Sequence, residues 1–320
     1  MYSEYLYWCY HAEKYMKDKK IESGQEGVVG SRRGRWGQER RLEFIDSRLN
    51  WEGRINRSAL TDFFGISVPQ ASLDLAEYQK QAPQNAVYDA SQRMYVAAED
   101  FQPVMGDPGS GRYLAELYAL TTEILRRDIS FMGWTPPADV VRHPARVVPE
   151  AFLRQTLTAI RERRVLKIAY QAMSRPEPTE REISPVALGY DGYRWHVRGY
   201  CHLRGTYRDF VFARILSSTL GGNSTTDPED DEEWRRMLNV VIAPNPELTE
   251  AQQRVIALDY GMVNNQLMLQ TRQALTYYLL KRLGLTRLPP AGRAHEQHIV
   301  LCNRDELAPY VSQLRSGNEG

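Results

Sequence analysis

The sequence predicts an α+β protein of several domains, and three observations lead there. The chain has 320 residues, beyond the length at which a single hydrophobic core usually keeps growing. Apolar residues recur at helical spacing through the first third, whereas short β-type runs separated by turn residues fill 166–216. Charge is segregated behind a formal net charge of only +1: Arg32, Arg33, Arg35, Arg40 and Arg41 cluster early, ten arginines and one lysine face six acids over 161–214, and 227–233 is almost wholly acidic.

The elements follow in order. Residues 1–34, punctuated by Gly24, Gly27, Gly30 and Gly34, read as a flexible leader. Within 35–100, Leu42, Ile45 and Leu49 mark one face of a helix. A short helix fits 57–64, with Asn56 as N-cap and Gly65 past its end. Ser67-Val68-Pro69-Gln70 has the Ser-x-x-Gln pattern of a capping box, with proline tolerated in the first turn, so a third helix runs over 68–81. Residues 86–97 then form two strands around a polar tip. Helix, short helix, glycine turn, helix and hairpin is the layout of a winged helix-turn-helix; a small helical bundle with a polar face is the alternative. Ala71, Leu75 and Tyr78 face the core, which leaves Gln70, Ser72 and Lys80 free to meet DNA. Arg57, Ser67, Val68 and Pro69, with Ser91, Gln92 and Arg93 in the wing, complete the candidate DNA-binding set.

Residues 101–150 read as a connector rich in proline and glycine that carries one helix, over 112–127. An amphipathic helix over 152–163 opens the next domain, 151–222. Strands over 166–170, 181–188, 193–200 and 208–216 make a small, strongly bent sheet there. Beyond the acidic linker, 235–315 read as an α/β extension with a strand over 239–242, helices over 249–260 and 267–283, and a last strand at Val300-Leu301.

The run Tyr193-Arg194-Trp195-His196-Val197-Arg198-Gly199-Tyr200, followed by 208–214, is the most informative. Strand alternation puts apolar positions in a core and gathers Arg, His and Tyr on the opposite face, a surface suited to phosphates and stacked bases. The alternative is a solvated face whose arginines pair with Glu180, Glu182 and Asp209. Enzymatic readings fare worse. His295 and His298 are three apart, not the four of a zinc-protease helix, and Cys201 and His202, adjacent on a strand, point to opposite faces. No phosphate-binding glycine loop is present, and nothing in the sequence encloses the carboxylates of 227–233. Three scattered cysteines suggest neither disulfides nor a zinc ribbon, and no apolar run approaches the roughly 18 residues of a membrane span. The expectation is a cytoplasmic, non-enzymatic protein without metal or cofactor.

Ile168-Ala169-Tyr170, Arg181-Glu182-Ile183-Ser184-Pro185, 194–198 and 208–215 resemble successive strands of a WYL domain, whose eponymous Trp-Tyr-Leu reads here Trp195-His196-Val197. With SVPQASLDL at 67–75 and PNPELTEAQQRVIALDYGM at 244–262, the span from Gln38 to about Asn303 is similar to the BrxR and CapW group of WYL regulators, found with bacterial anti-phage systems. The resemblance implies an Sm-like sheet, a C-terminal dimerisation domain, and a homodimer on an inverted-repeat DNA operator that represses its own defence operon, of BREX or CBASS type. It also implies a nucleic-acid or nucleotide effector. Carried over by position, the ligand-facing candidates are Tyr170, Arg181, Ser184, Trp195, His196, Arg198, Arg208 and Arg214, with Phe210 in the core. The competing expectation is a non-regulatory accessory protein that binds RNA or single-stranded DNA.

Overall fold

The computed structural model describes residues 29–106, 109–142, 144, 146–287 and 292–315, so most of the leader expected over 1–34 lies outside the described residues. Two compact units divide between residues 142 and 143.

The first unit is built on helix α1 (Val29–Glu52). Leu42, Ile45 and Leu49 are buried as their spacing predicts, and Phe44 joins them, stacked on Phe63 and edge-on to Phe64 and Phe131. The helix starts inside the expected leader, so Gly30 and Gly34 are helical rather than turn residues. Once a buried stripe holds the later turns, extending the helix costs one residue's freedom per hydrogen bond, and a glycine penalty of about 1 kcal/mol does not stop it.

Strand β1 (Arg54–Ile55) leads to α2 (Arg57–Phe64). Asn56 caps α2 by accepting from the Ala59 amide at 2.9 Å, and Gly65 ends it in the left-handed region, at φ 65°. In α3 (Val68–Gln81), Ser67 Oγ accepts from the Gln70 amide at 3.3 Å. The capping box is only half made, because the Gln70 side chain donates instead to Asp74 Oδ1 at 3.1 Å. The second half of the box would have the Gln70 oxygen accept from the Ser67 amide, and the charged, buried Asp74 carboxylate is the stronger partner for the side-chain amide. Strands β2 (Ala86–Asp89) and β3 (Met94–Ala97) form the hairpin, and β1 pairs with the other edge of β3. The hairpin and its sheet decide for a winged helix over a plain bundle. Helix α4 (Ser110–Thr121) is shorter than expected: the Thr121 and Thr122 hydroxyls donate back to the Leu117 and Tyr118 carbonyls, and Glu123 turns left-handed at φ 60°.

A buried polar network crosses this core. Asp46, 1% exposed, accepts from the Tyr78 hydroxyl at 2.6 Å and from the Val104 and Met105 amides. Asn85 donates to the Tyr78 oxygen and to the Gln102 carbonyl. Burial, reinforced by Asp46, pushes the Tyr78 hydroxyl well above its ordinary pKa, so it stays a donor.

In the second unit, α5 (Glu150–Glu162) packs on a sheet of β4 (Arg164–Tyr170), β5 (Thr179–Tyr190), β6 (Trp195–Cys201), β7 (Thr206–Val211) and β8 (Ile215–Asn223). The order is β7-β6-β5-β4-β8 and all pairs are antiparallel. Register shifts at Pro185/Ala187 and along β4–β8 supply the bend. The strand expected over 208–216 is two strands, parted by a 3-10 turn at Phe212–Arg214. Most of β8 escaped the reading because Ser217, Ser218, Gly221 and Gly222 dilute its apolar signal.

After α6 (Glu232–Arg235), β9 (Met237–Pro244) is flanked by β10 (Leu267–Arg272) and β11 (Ile299–Leu301), with α7 (Glu250–Asp259), α8 (Gln273–Arg282), α9 (Arg304–Leu307) and α10 (Ser312–Arg315) alongside in sequence. The helix expected over 267–283 begins as β10, which pairs with β9 along all six residues; a short apolar run does not reveal its period, and tertiary pairing decides. No helix among the described residues is long and apolar enough to cross a membrane.

Candidate functional site

Two surfaces carry the candidate residues. The first is the outer side of α3. Ala71, Asp74, Leu75 and Tyr78 are buried, and at 100° per residue the positions opposite them are Pro69, Leu73, Ala76 and Lys80, all exposed. Leu73 is 63% exposed and Val68 55%. The outward stripe is therefore largely apolar, which corrects the expectation of a polar face. Gln70 is turned toward Asp74, and Ser72 Oγ donates to the Val68 carbonyl at 3.0 Å, so neither side chain projects freely. Leu73 and Ala76 were legible from the sequence, since they sit at positions i+4 and i+7 from Pro69.

The helix is fixed from behind. Arg41 donates from Nε to Asp74 Oδ2 at 2.6 Å and from Nη2 to Oδ1 at 3.1 Å, and Asp74 is fully buried. Arg40 lies over the Phe131 ring. Of the early basic cluster, Arg41 thus serves the core, while Arg40 stays exposed. In the wing, Asp89 Oδ1 accepts from Ser91 N, Ser91 Oγ and Gln92 N, and Oδ2 accepts from Gln92 Nε2. The Ser91 bond and its companions hold the Asp89 carboxyl below its usual range. The tip is thereby shaped, and Arg93, left-handed at φ 55°, projects from it. Arg57, Lys80 and Arg93 are exposed and make no ion pair among the described residues.

The second surface is the five-stranded sheet, which has two unlike faces. Register places Ile168 opposite Arg181, Ile183 opposite Cys201, Gly199 opposite Arg208 and Val197 opposite Phe210. Residues directly opposite share a face, so Arg181 and Arg208 lie on the side of Tyr170, Val197 and Phe210, not on a separate polar side as the alternation had suggested. Arg181 is 8% exposed. Its neighbours are Thr179 Oγ1 at 3.1 Å, Cys201 Sγ at 3.9 Å and the Tyr170 ring. No carboxylate pairs with it among the described residues. Arg208 is exposed and Arg214 half-buried, and both likewise lack an acid partner there. The Tyr170 hydroxyl accepts from the Val211 amide, and Phe210 is core, at 2% exposure.

The opposite face carries Ser184, His196 and Arg198. Arg198, 3% exposed, donates to Asp231 through Nε at 2.7 Å and Nη2 at 2.8 Å, to Glu233 at 2.8 Å and to Asp209 at 3.4 Å. Burial opposes its charge, yet Asp231 and Glu233 drive the guanidinium pKa up. Asp231 is 1% exposed, so this carboxylate of the acidic stretch is enclosed after all. Burial pushes the Asp209 carboxyl up against the pull of Arg198, while the Tyr278 hydroxyl donates to it. His196 Nε2 is 2.9 Å from Asp191 Oδ2, and its Nδ1 is buried without a partner among the described residues. Burial alone would raise Asp191, but the bonds from His196 and the Tyr193 and Arg194 amides hold it below the usual range. Ser184 Oγ meets His202 Nε2 at 2.9 Å and accepts from Ser224. Trp195, 49% exposed, stacks loosely on Tyr190 at the hairpin end. Residues 294–296 form a turn, and His298 Nε2 beyond it lies 3.0 Å from the His295 carbonyl.

Three segments match known domain families: the BrxR transcriptional regulator winged helix-turn-helix domain over 37–119, the WYL domain over 151–220, and the BrxR transcriptional regulator C-terminal dimerization domain over 237–307. That succession defines a WYL-domain transcriptional regulator. The chain is 43% identical over 289 residues to the DNA-binding transcriptional repressor CapW of Stenotrophomonas maltophilia, covering 90% of this chain and 97% of that one. It is 44% identical over 294 residues to CapW of Pseudomonas aeruginosa (92% and 96%), and 42% identical over 289 residues to CapW of Escherichia coli (90% and 97%). The chain belongs to the CapW family.

Proposed function

We propose that the protein is a transcription repressor that binds, as a homodimer, an inverted-repeat operator before its own anti-phage defence operon, of BREX or CBASS type, and is released by a nucleic-acid or nucleotide effector. The α3 helices of the two protomers enter successive major grooves, and Arg57, Lys80 and Arg93 meet phosphates. The cytoplasm is where such a protein works.

One observation carries the effector half of this reading: Arg181 is a buried guanidinium with no carboxylate among the described residues, whereas Arg198, on the same sheet, has three. An uncompensated buried cation is costly, and an anionic ligand would relieve that cost. The effector set therefore narrows to Tyr170, Arg181 and Arg208, with Arg214 at the corner. Ser184, His196 and Arg198 become scaffold, and Trp195 an outlying stacking surface. Release requires only that the anion prefer the state that binds DNA poorly.

The test is a gel shift on the upstream DNA of the protein's own gene, against scrambled duplex, with short single-stranded oligonucleotides or cyclic nucleotides added. Retention on the upstream fragment, lost on adding one of these, supports the reading. Equal retention on both duplexes overturns the operator, and an RNA-binding accessory protein would behave that way. Retention that none of the anions disturbs overturns the effector.

A further inference from the structure

The outer stripe of α3 poses a chemical question of its own. Pro69, Leu73 and Ala76 offer no hydrogen-bond donor or acceptor from their side chains, and the polar groups beside them in the first two turns, Gln70 and Ser72, are engaged within the helix, while Glu77 and Gln79 flank only its last turn. The first two turns of a helix presented in this way, the part that a recognition helix turns to base edges, lack the bidentate amide or guanidinium pairings that usually read guanine and adenine. What the major groove offers to an apolar side chain is the 5-methyl group of thymine. Charge agrees with a duplex as the occupant, because the stripe ends at Lys80 and belongs to a unit whose exposed Arg57 and Arg93 have no acid partner among the described residues.

We infer that Leu73 is a specificity-determining residue that reads thymine 5-methyl groups in each half-site. The inference rests on the DNA-binding reading above and sharpens it: the operator is recognised by methyl contact through Leu73, and Pro69 and Ala76 keep the backbone close enough for that contact. Burying one methyl is worth a factor of about four in affinity. Removing all the thymine methyls under one half-site thus costs about fourfold for each methyl that Leu73 covers.

Deoxyuridine differs from thymidine only by that methyl, so it makes the direct probe. The intact protein is footprinted on its upstream DNA. Dissociation constants are then measured by fluorescence anisotropy on the footprinted duplex, on the same duplex with every half-site thymidine replaced by deoxyuridine, and on scrambled duplex, for the wild type and Leu73→Ala. The expected result is that the wild type loses at least fourfold on the deoxyuridine duplex. Leu73→Ala binds the natural duplex more weakly, loses less than the wild type on the full replacement by at least the fourfold of one methyl, and keeps its affinity for scrambled duplex. Leu73 is exposed, so the variant should fold, and circular dichroism checks this. Equal wild-type affinity for the natural and deoxyuridine duplexes refutes the inference while leaving the operator intact. So does a Leu73→Ala variant that responds to the replacement as the wild type does, or one whose defect is a change of oligomeric state, which would mark the stripe as a protein contact. Failure of the wild type to prefer its upstream DNA over scrambled duplex refutes the DNA-binding reading itself, and this inference falls with it.

Discussion

Replacing Arg198 and Arg181 separately by methionine should give opposite outcomes, although the two arginines lie in adjacent strands and are almost equally buried. Methionine keeps much of the apolar stem and removes the charge. At Arg198 the change strands Asp231, which is 1% exposed, and takes from Asp209 the cation that offsets its burial. Glu233 is half exposed and contributes little. Breaking a buried ion pair by deleting one partner costs about 3–5 kcal/mol. For a unit of this size each kcal/mol moves the melting point by about 2–4 °C, so a fall of roughly 6–20 °C is expected. At Arg181 no carboxylate among the described residues is stranded; the change gives up a hydroxyl contact, a weak sulfur contact and the Tyr170 ring, and abolishes a buried charge that no acid offsets there. The melting point should stay within about 2 °C of the wild type or rise. Calorimetry of the intact chain at neutral pH, checked by urea unfolding, reads both. Equal losses in the two variants would refute the reasoning, and so would an Arg198→Met protein that melts with the wild type.

Three further outcomes follow from the same geometry. Asp209→Asn tests the sign of a raised carboxyl: a folded-state pKa above the unfolded value means stability present below the unfolded pKa, near 4, and lost as pH rises through the folded one. The variant should therefore gain on the wild type at pH 7 and lose that advantage below about pH 4, as urea titrations at several pH values would show; destabilisation at pH 7 alone contradicts it. Gly199→Ala should cost about 1–3 kcal/mol in urea unfolding, because its Cβ would lie 2.8 Å from the Ser184 carbonyl oxygen, a backbone atom that cannot swing away. Gly222→Ala, with nothing within 4 Å, is its neutral control. Lys80→Ala should weaken binding to operator and scrambled duplex alike and flatten the salt dependence of log K by about one unit per protomer; an effect confined to the operator would mean that Lys80 reads a base.

The winged helix was legible because its signals are local. Asn56, Gly65 and Ser67 perform the capping roles their types suggest, and Ala71, Leu75 and Tyr78 are buried where helical period puts them. The sheet was legible as a set of strands and illegible as a set of faces. Which side Arg181 occupies depends on its register with Ile168, a contact that alternation within one strand cannot supply. Asp231 was hidden for a similar reason: its partner Arg198 is 33 residues away, so an acidic run that looked solvated proves half structural. Gln70 shows the converse failure, in which a correct local pattern, the capping box, is overruled by Asp74 one turn on.

The Asp46 network has a consequence for how any signal could reach DNA. One carboxylate joins α1, α3 and the segment beyond the hairpin through short buried bonds, and Asn85 ties in the chain just before the hairpin. Tilting α3 by itself would strand those partners away from water, a cost of several kcal/mol that few small ligands could offset. Under the proposed function, α3 would accordingly move only together with α1 and the segments on either side of the hairpin. A ligand that modulated affinity would have to act on that joined set as one piece, not on the pitch of a single helix.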